Sequence, residues 1–410
     1  MRAFIFDDGS GQLAPLTDLR PSFDIRTGAR TTLDRIEALL SDDVEIAGLI
    51  VPDRLASIVA ELSDLPVNSV ADSDGEVLLI NGRCPLPPEG FTEIEADEIV
   101  LEKLGASDDE GGVVVARVSE RQAARVLRGE FDGMADASVR EIDEPLLLRR
   151  PWDVRIFRDA AIDQDLRELA AVSGEPLPPG VMHRGDHAVA VRASADIWPG
   201  VTIDSSRGPV VVAAGATVRP GAVLVGPCFI GEGSTVLDRS LIKGHTAIGP
   251  RCKIAGEVGG TIFQGFSNKA HEGHLGDSWV GEWVNFGAGT NNSNLLNTYG
   301  EVLARGTVGG ASERTGQTFL GAIIGDHSKF AIGTRIMTGA VIHTGAMWAA
   351  SGPVAGAVGP FTWATDSGST AFRLTRFADT VRTVMGRRGM EPGEPYMQRL
   401  AEMHEQAAGA

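Results

Sequence analysis

The sequence predicts an α/β N-terminal domain, then a parallel β-helix, then a C-terminal helix, and three observations carry that prediction. From Val212, every sixth residue is aliphatic: Val212, Val218, Leu224, Ile230, Val236, Ile242, Ile248 and Ile254. Before this repeat, apolar runs with strand character alternate with segments of helical period. After it, "STAFRLTRFADTVRTVMGRR" has an apolar stripe and a basic end, as the last turn of a helix favours.

In chain order, "RAFIFD", "EIAGLIV" and "EVLLING" read as buried strands, and "ARTTLDRIEALL" and "ERQAARVL" as helices. Together they make an α/β domain over residues 1–150. "RPWDVRIFRDAAIDQDLRELAAV" reads as a helical connector and "SGEPLPPG" as a linker, which fills residues 151–182. The β-helix takes residues 183–360. A helical tail, 361–410, closes with "EPYMQRLAEMHEQA".

A strict period of six fits neither a helix of 3.6 residues per turn nor a strand of two. It fits a coil of three short sides, each pointing one aliphatic inward to stack on its counterpart in the next coil. Gly, Asn, Asp and Pro turn the corners, where positive φ is often required. Each buried Val, Leu or Ile contributes about 1.5–3 kcal/mol before ordering costs, and no coil buries its inward row alone. The phase returns at Ile324, Phe330, Ile336, Ile342 and Trp348. Between the two runs, "LLNTYGEVLARGTVGGASERTGQT" keeps no period and reads as a loop thrown out of the solenoid.

Composition narrows the function. The 410 residues carry a formal net charge of −18, a field that opposes general affinity for nucleic acid or anionic membrane. No apolar run reaches the roughly 18–20 residues of a membrane span, and the N-terminus lacks the pattern of a signal peptide. Cys84, Cys228 and Cys252 have no metal-ligand spacing. A cytoplasmic protein is expected.

One stretch stands apart. Six of the eight asparagines and two of the eight histidines lie within "SNKAHEGHLGDSWVGEWVNFGAGTNNSNLLN", residues 267–297. Asparagine also suits left-handed corners and ladders between coils, which accounts for part of the Asn291, Asn292 and Asn297 group.

On these residues the chain resembles the acyltransferase half of the bifunctional GlmU enzymes. It is more similar still to an alternative bacterial branch of GlmU-like sugar nucleotidyltransferase/acyltransferase proteins. There "LTDLRP…DIRTG", "RPWD", "GFSNKAHEGHLG", "VGEWVNFGAGTNNSN" and "GDHSK" occur together in this order. The resemblance implies a left-handed β-helix, a homotrimer, and acyl transfer from acetyl-CoA to an amino-sugar phosphate such as glucosamine 1-phosphate. It also implies nucleotidyl transfer from an NTP, giving a UDP-N-acetylglucosamine-like product. Anchored on Leu275–Gly276–Asp277, it gives His271 the role of catalytic base and makes Lys269, His274, Asn285 and Asn294 substrate contacts. That chemistry suits the residue types: imidazole titrates nearest neutrality, and a carboxamide offers donor and acceptor together.

The N-terminal domain departs from the resemblance. "LAPLTDLRP" fits, but the glycine loop "DDGSGQ" is short, and "NGRCPL" puts Arg83 where the family has a metal-binding aspartate. A cation cannot ligate Mg²⁺. Arg20, Arg26 and Arg83 are therefore expected to bind phosphates, and Asp7, Asp8 or Asp24 to hold Mg²⁺. The alternatives are a nucleotidyltransferase whose β-helix only assembles trimers, and a non-catalytic protein that binds sugar nucleotides.

Overall fold

The computed structural model describes residues 1–71, 73–103, 112–127, 138–172 and 174–409, so Ser173 of the expected linker lies outside the described residues. The N-terminal domain contains, in chain order, β1 (Arg2–Phe6), α1 (Thr32–Leu39), β2 (Glu45–Ile50), α2 (Asp53–Leu62), β3 (Glu76–Asn81), β4 (Glu98–Glu102), β5 (Gly112–Ser119), α3 (Glu120–Val126) and β6 (Ser138–Ile142). Its sheet has the order β2-β1-β3-β5-β4-β6. β1 runs parallel to β2 and β3, whereas β5 runs antiparallel to β3 and β4. Ala3 to Phe6 are all buried, as befits a central strand covered on both sides. Capping boxes at Thr31/Asp34 and Ser119/Gln122 start α1 and α3 by satisfying otherwise orphaned amides. α4 (Val154–Ala171) leads to the β-helix.

Three parallel sheets make the β-helix. Its first face starts at Met182–Arg184, its second at Val189–Val191 and its third at Asp196–Ile197. Each strand pairs with the strand one coil on: Val210 with Cys228 and Cys228 with Thr246, eighteen residues apart, which is three sixes. The eight aliphatics of the sequence period are completely buried in one continuous core. The parallel β-helix of six-residue sides therefore stands as expected.

Beyond Ile254 the coils shorten. Ala247 pairs with Ile262 fifteen residues on, and Ile262 with Trp279 seventeen residues on. The six-residue phase slips there, yet the inward row continues through Phe263, Val280, Phe286, Ile324 and Phe330. At the far end, Thr362–Thr365 turns back antiparallel on Gly368–Ala371, which protects the open sheet edge. α5 (Leu374–Gly386) and α6 (Glu394–Gly409) follow and pack against Leu19, Trp283 and Phe361.

The outward row of the second face is apolar: Val211, Ala247, Ile262, Trp279, Ile323 and Val341 are all buried beneath α4 and residues 13–29. The insertion joins this layer. Leu295 bridges to Phe319, Leu303–Ala304 pairs with Glu313–Arg314, and Val302, Ala304 and Leu320 are buried against the second face. Glu313 also pairs with Arg150, and His343 Nε2 lies 2.7 Å from the Gly306 carbonyl. The body of the loop thus lies on its own chain, a correction to the expectation of a segment thrown outward.

Candidate functional site

The site is built at the corner where the third face turns into the first. Asn268–Lys269 ends the third-face strand and His274–Gly276 begins the first-face strand, with His271 on the turn between. Lys269 pairs in register with Ile254, so its side chain occupies an inward, core position. It is 2% exposed, and its Nζ donates to the carbonyls of Ala255, at 3.1 Å, and His271, at 3.0 Å. Burial lowers its pKa to about 8. The expectation that Lys269 contacts substrate is corrected: its ammonium lies inside the coil and anchors the turn that carries His271. The His271 side chain is exposed and makes no hydrogen bond or ion pair with the described residues.

Next on the chain, the half-buried His274 has Nδ1 3.5 Å from Glu257 Oε1, and Glu257 also pairs with Lys243. The Lys243 hydrogen bond holds the Glu257 carboxyl below its usual range. Asparagines then take the place of the backbone ladder between this coil and the next. The His274 amide donates to Asn291 Oδ1 at 2.7 Å, and the Gly276 amide to Asn292 Oδ1 at 2.8 Å. Asn292 Nδ2 returns a bond to the Gly276 carbonyl at 2.8 Å. Both residues are structural, in the laddering role that asparagine suits.

Asn294 differs. Its Nδ2 donates to Asp277 Oδ2 at 2.7 Å, and Asp277 is held from α4 by Arg158, at 2.8 Å, and Arg155, at 3.2 Å. A methyl group placed on Gly276 would sit 2.7 Å from His274 Nε2 and 2.8 Å from Asn294 Nδ2. The imidazole and the carboxamide therefore converge over bare backbone, and Asn294 Oδ1 is left to accept. Arg155 and Arg158 escaped sequence reasoning because nothing in a helical connector marks a side chain that supports a site on another domain.

Asn285 lies elsewhere. It projects outward and exposed from the third face, in register with Asn268 on one side and Lys329 on the other. It lines a cavity of about 550 Å³ with Lys253, Phe266, Trp283, Arg387 and Arg388. Further along α5 a second cavity, of about 780 Å³, is lined by Met347, Trp363, Phe372, Arg373 and Arg376.

The N-terminal residues named from sequence are mostly engaged. Arg83 grips Asp8 through Nε, at 2.8 Å, and Nη2, at 2.6 Å, and is 1% exposed. Asp7 accepts from the amides of Gly9, at 2.9 Å, and Ser22, at 2.8 Å, while burial pushes its carboxyl up. Arg20 pairs with Asp326 at 3.0 Å and Glu282 at 3.4 Å, both on the β-helix. The Arg26 amide donates to Gln264 Oε1 at 2.8 Å, and its carbonyl accepts from Trp279 Nε1 at 3.0 Å. Burial raises Asp24 to about 7. Among the described residues no three His, Cys, Asp or Glu side chains are grouped to hold a metal ion. The acid set Asp7, Asp8 and Asp24 does not fit Mg²⁺, because one carboxylate is capped by amides, one is neutralised by Arg83 and one is withdrawn into a buried position. Arg20 and Arg26 join the domains. Both expectations, of phosphate binding by these arginines and of a metal on these acids, are corrected on those grounds.

Residues 3–172 match the family model described as sugar nucleotidyl transferase. The chain is 30% identical over 126 residues to a bifunctional protein GlmU of Rippkaea orientalis, covering 26% of this chain and 28% of the relative. It is 33% identical over 138 residues to a bifunctional sugar-1-phosphate nucleotidylyltransferase/acetyltransferase of Sulfurisphaera tokodaii, covering 33% of this chain and 34% of the relative. The matches thus span about a third of the length of these curated relatives. Among solved structures, the chain is similar at 12% identity to the acetyltransferase domain of PglB from Neisseria gonorrhoeae in complex with acetyl coenzyme A. That likeness covers 68% of this chain and 100% of that one, with a TM-score of 0.19. No helix among the described residues is long and apolar enough to cross a membrane.

Proposed function

We propose that the chain is a cytoplasmic transferase that moves an acyl group from acetyl-CoA to an amino-sugar phosphate such as glucosamine 1-phosphate, at the corner carrying His271. One observation carries the reading: an exposed imidazole without a protein partner stands on a turn pinned from inside the coil by Lys269, beside the converging His274 and Asn294. An unpartnered His on an anchored turn is suited to take a proton from an incoming amine. The amine then attacks the thioester carbonyl, the tetrahedral oxyanion collapses, and the CoA thiolate leaves with a proton returned by the imidazolium. Asn294 Oδ1 is placed to accept from the sugar while its Nδ2 is tied to Asp277. A positioned base of this kind is worth about 10²–10⁴ in rate.

The matched domain over residues 3–172 supports a second activity, nucleotidyl transfer from UTP to the N-acetylated sugar 1-phosphate. Its glycine loop, with Gly9 and Gly11 at φ +67° and +79°, is the element suited to a triphosphate. No step is routed through Mg²⁺, since the acids present do not form its site.

His271→Ala is the test. CoA release from acetyl-CoA and glucosamine 1-phosphate is expected to fall at least 10²-fold, with pyrophosphate formation from UTP unchanged. Equal CoA release by parent and variant would remove the acyltransferase reading and leave a nucleotidyltransferase on a scaffold. The functional form is proposed to be a homotrimer, since α4 covers the second face and α5 the far end of the third, while Met182 on the first stays 59% exposed. A monomer in sedimentation at micromolar concentration would refute it.

A further inference from the structure

The parallel strands β1 and β3 end side by side, with Phe6 in register with Asn81. The chain leaves those ends as Asp7 and Asp8 on one side and as Gly82 and Arg83 on the other. Ligands of open α/β sheets sit beyond the carboxyl ends of the strands, so what fills this place decides what the domain can hold. An ion pair fills it. Arg83, 1% exposed, commits its whole guanidinium: Nε and Nη2 to the two Asp8 oxygens, at 2.8 and 2.6 Å, and Nη1 to the Leu148 carbonyl at 3.0 Å. Its amide donates to Asn81 Oδ1 at 2.8 Å, and Asn81 Nδ2 donates to the Val113 carbonyl at 2.7 Å. A methyl group placed on Gly112 would lie 2.8 Å from Arg83 Nη2, so bare backbone at the start of β5 closes over the guanidinium.

Asp8 has no acceptor site to spare. It takes the Ser10 amide at 2.9 Å, two bonds from Arg83 and one from Asn81 at 3.2 Å, which uses the roughly four lone-pair sites of a carboxylate. Asp7 beside it accepts one amide on each oxygen. Mg²⁺ demands a near-octahedral set of oxygens at about 2.0–2.1 Å, which neither acid can begin while so engaged. Charge gives the same answer. Two carboxylates around a divalent ion sum to zero, and so does Asp8 with Arg83; a metal added here would meet a fixed guanidinium and no free acid. A neutral side chain could tie β1 to β3 by hydrogen bonds alone. A cation is needed only to balance Asp8 where an anionic ligand approaches.

We infer that the N-terminal domain binds its nucleotide without a divalent cation, with the Arg83 guanidinium as a built-in positive charge where a metal would otherwise sit. The GlmU-like family places a metal-binding aspartate at this position, and this chain has Arg83. One substitution thus removes the metal's ligand and supplies its charge. Asp8 is already balanced, so a triphosphate can approach the adjoining glycine loop with no ion between them. The inference rests on the proposed nucleotidyl transfer only for the choice of UTP as probe.

Mn²⁺ titration followed by electron spin resonance, and calorimetric titration with UTP, test it on the full chain. The parent is expected to show no Mn²⁺ site tighter than about millimolar, and UTP affinities in Mg²⁺ and in EDTA that agree within about threefold. Arg83→Gln removes the charge and leaves an uncompensated Asp8. Its UTP affinity is expected to fall more than about tenfold in EDTA and to recover with Mg²⁺, a change of metal dependence that a merely structural role would not produce. A micromolar Mn²⁺ site in the parent that is lost in Asp8→Asn overturns the inference. So does UTP binding more than about tenfold weaker in EDTA, or absent under both conditions. An Arg83→Gln protein that melts like the parent and stays indifferent to EDTA overturns it as well; should that variant fail to fold, the two parent measurements decide alone. Pyrophosphate release separates the two claims. UTP bound in EDTA with no release under any condition removes nucleotidyl transfer and keeps the metal-free site, whereas release only with Mg²⁺ keeps the transfer and overturns the inference.

Discussion

The N-terminal domain and the solenoid corner hold the same kinds of residue and use them in opposite ways. In the domain, Asp8 meets Arg83, Arg20 meets Asp326 and Glu282, and Asp7 meets two amides. At the corner and on the third face, the side chains of His271, Lys253 and Arg387 form no hydrogen bond or ion pair among the described residues. The cause is packing. Residues 13–29 are pressed between the N-terminal sheet and the second face, and desolvation there obliges each charge to find a partner. The corner faces solvent and imposes no such demand. A family motif thus reports potential chemistry; whether a side chain is already bonded decides whether it can act.

The largest effects should divide along the same line. Arg20→Ala would strip from Asp326, which is completely buried, its only ion-pair partner among the described residues, and is expected to lower unfolding free energy by about 3–5 kcal/mol in urea. His271→Ala should leave the urea midpoint within about 0.5 kcal/mol of the parent while removing acyl transfer. Should Arg20→Ala keep full stability and instead lose affinity for UTP, the arginine would return to the phosphate role that its sequence context implies, and the contrast between the two regions would fail.

The solenoid was legible because its inward row is periodic and that period is enforced by stacking, rung on rung. The domain's parallel strands were legible for their apolar runs. Strands β4 to β6 were not, since β5 alone runs against its neighbours and that reversal depends on pairing across the sheet and not on local pattern. At the site, His271, His274 and Asn294 could be placed from their motif, whereas Lys269 could not be placed from its type. Coils of fifteen and seventeen residues break the six-residue phase just before it, so nothing local distinguishes this inward lysine from a surface one. The cationic cavity on the third face was hidden by distance along the chain. Lys253 and Arg387 line one cavity because the end of α5 returns to the third face.

Lys269 sharpens the comparison, because it is a buried charge like those of the N-terminal domain yet bonded only to carbonyls. Its folded pKa of about 8 lies below the usual lysine value of 10.5. Between those two values the unfolded chain binds more protons than the folded one, so this residue makes stability rise with pH across that window. Below pH 8 the lysine is charged in both states and the full burial penalty persists; above 10.5 it is neutral in both and the penalty is gone. Methionine has similar length and no charge. Lys269→Met is therefore expected to remove that rise, and near neutral pH to match the parent's stability within about 1.5 kcal/mol, lost hydrogen bonds offsetting relieved desolvation. With the carbonyl of His271 released, acyl transfer should drop by about tenfold, a misplacement effect smaller than loss of the imidazole itself. Urea titrations at pH 7, 9 and 10.5, paired with CoA-release assays at pH 7, read both. A variant with the parent's pH slope would mean that Lys269 titrates normally and its ammonium is not inside the coil. Unchanged transfer alongside a lost slope would mean that the turn holds His271 without it.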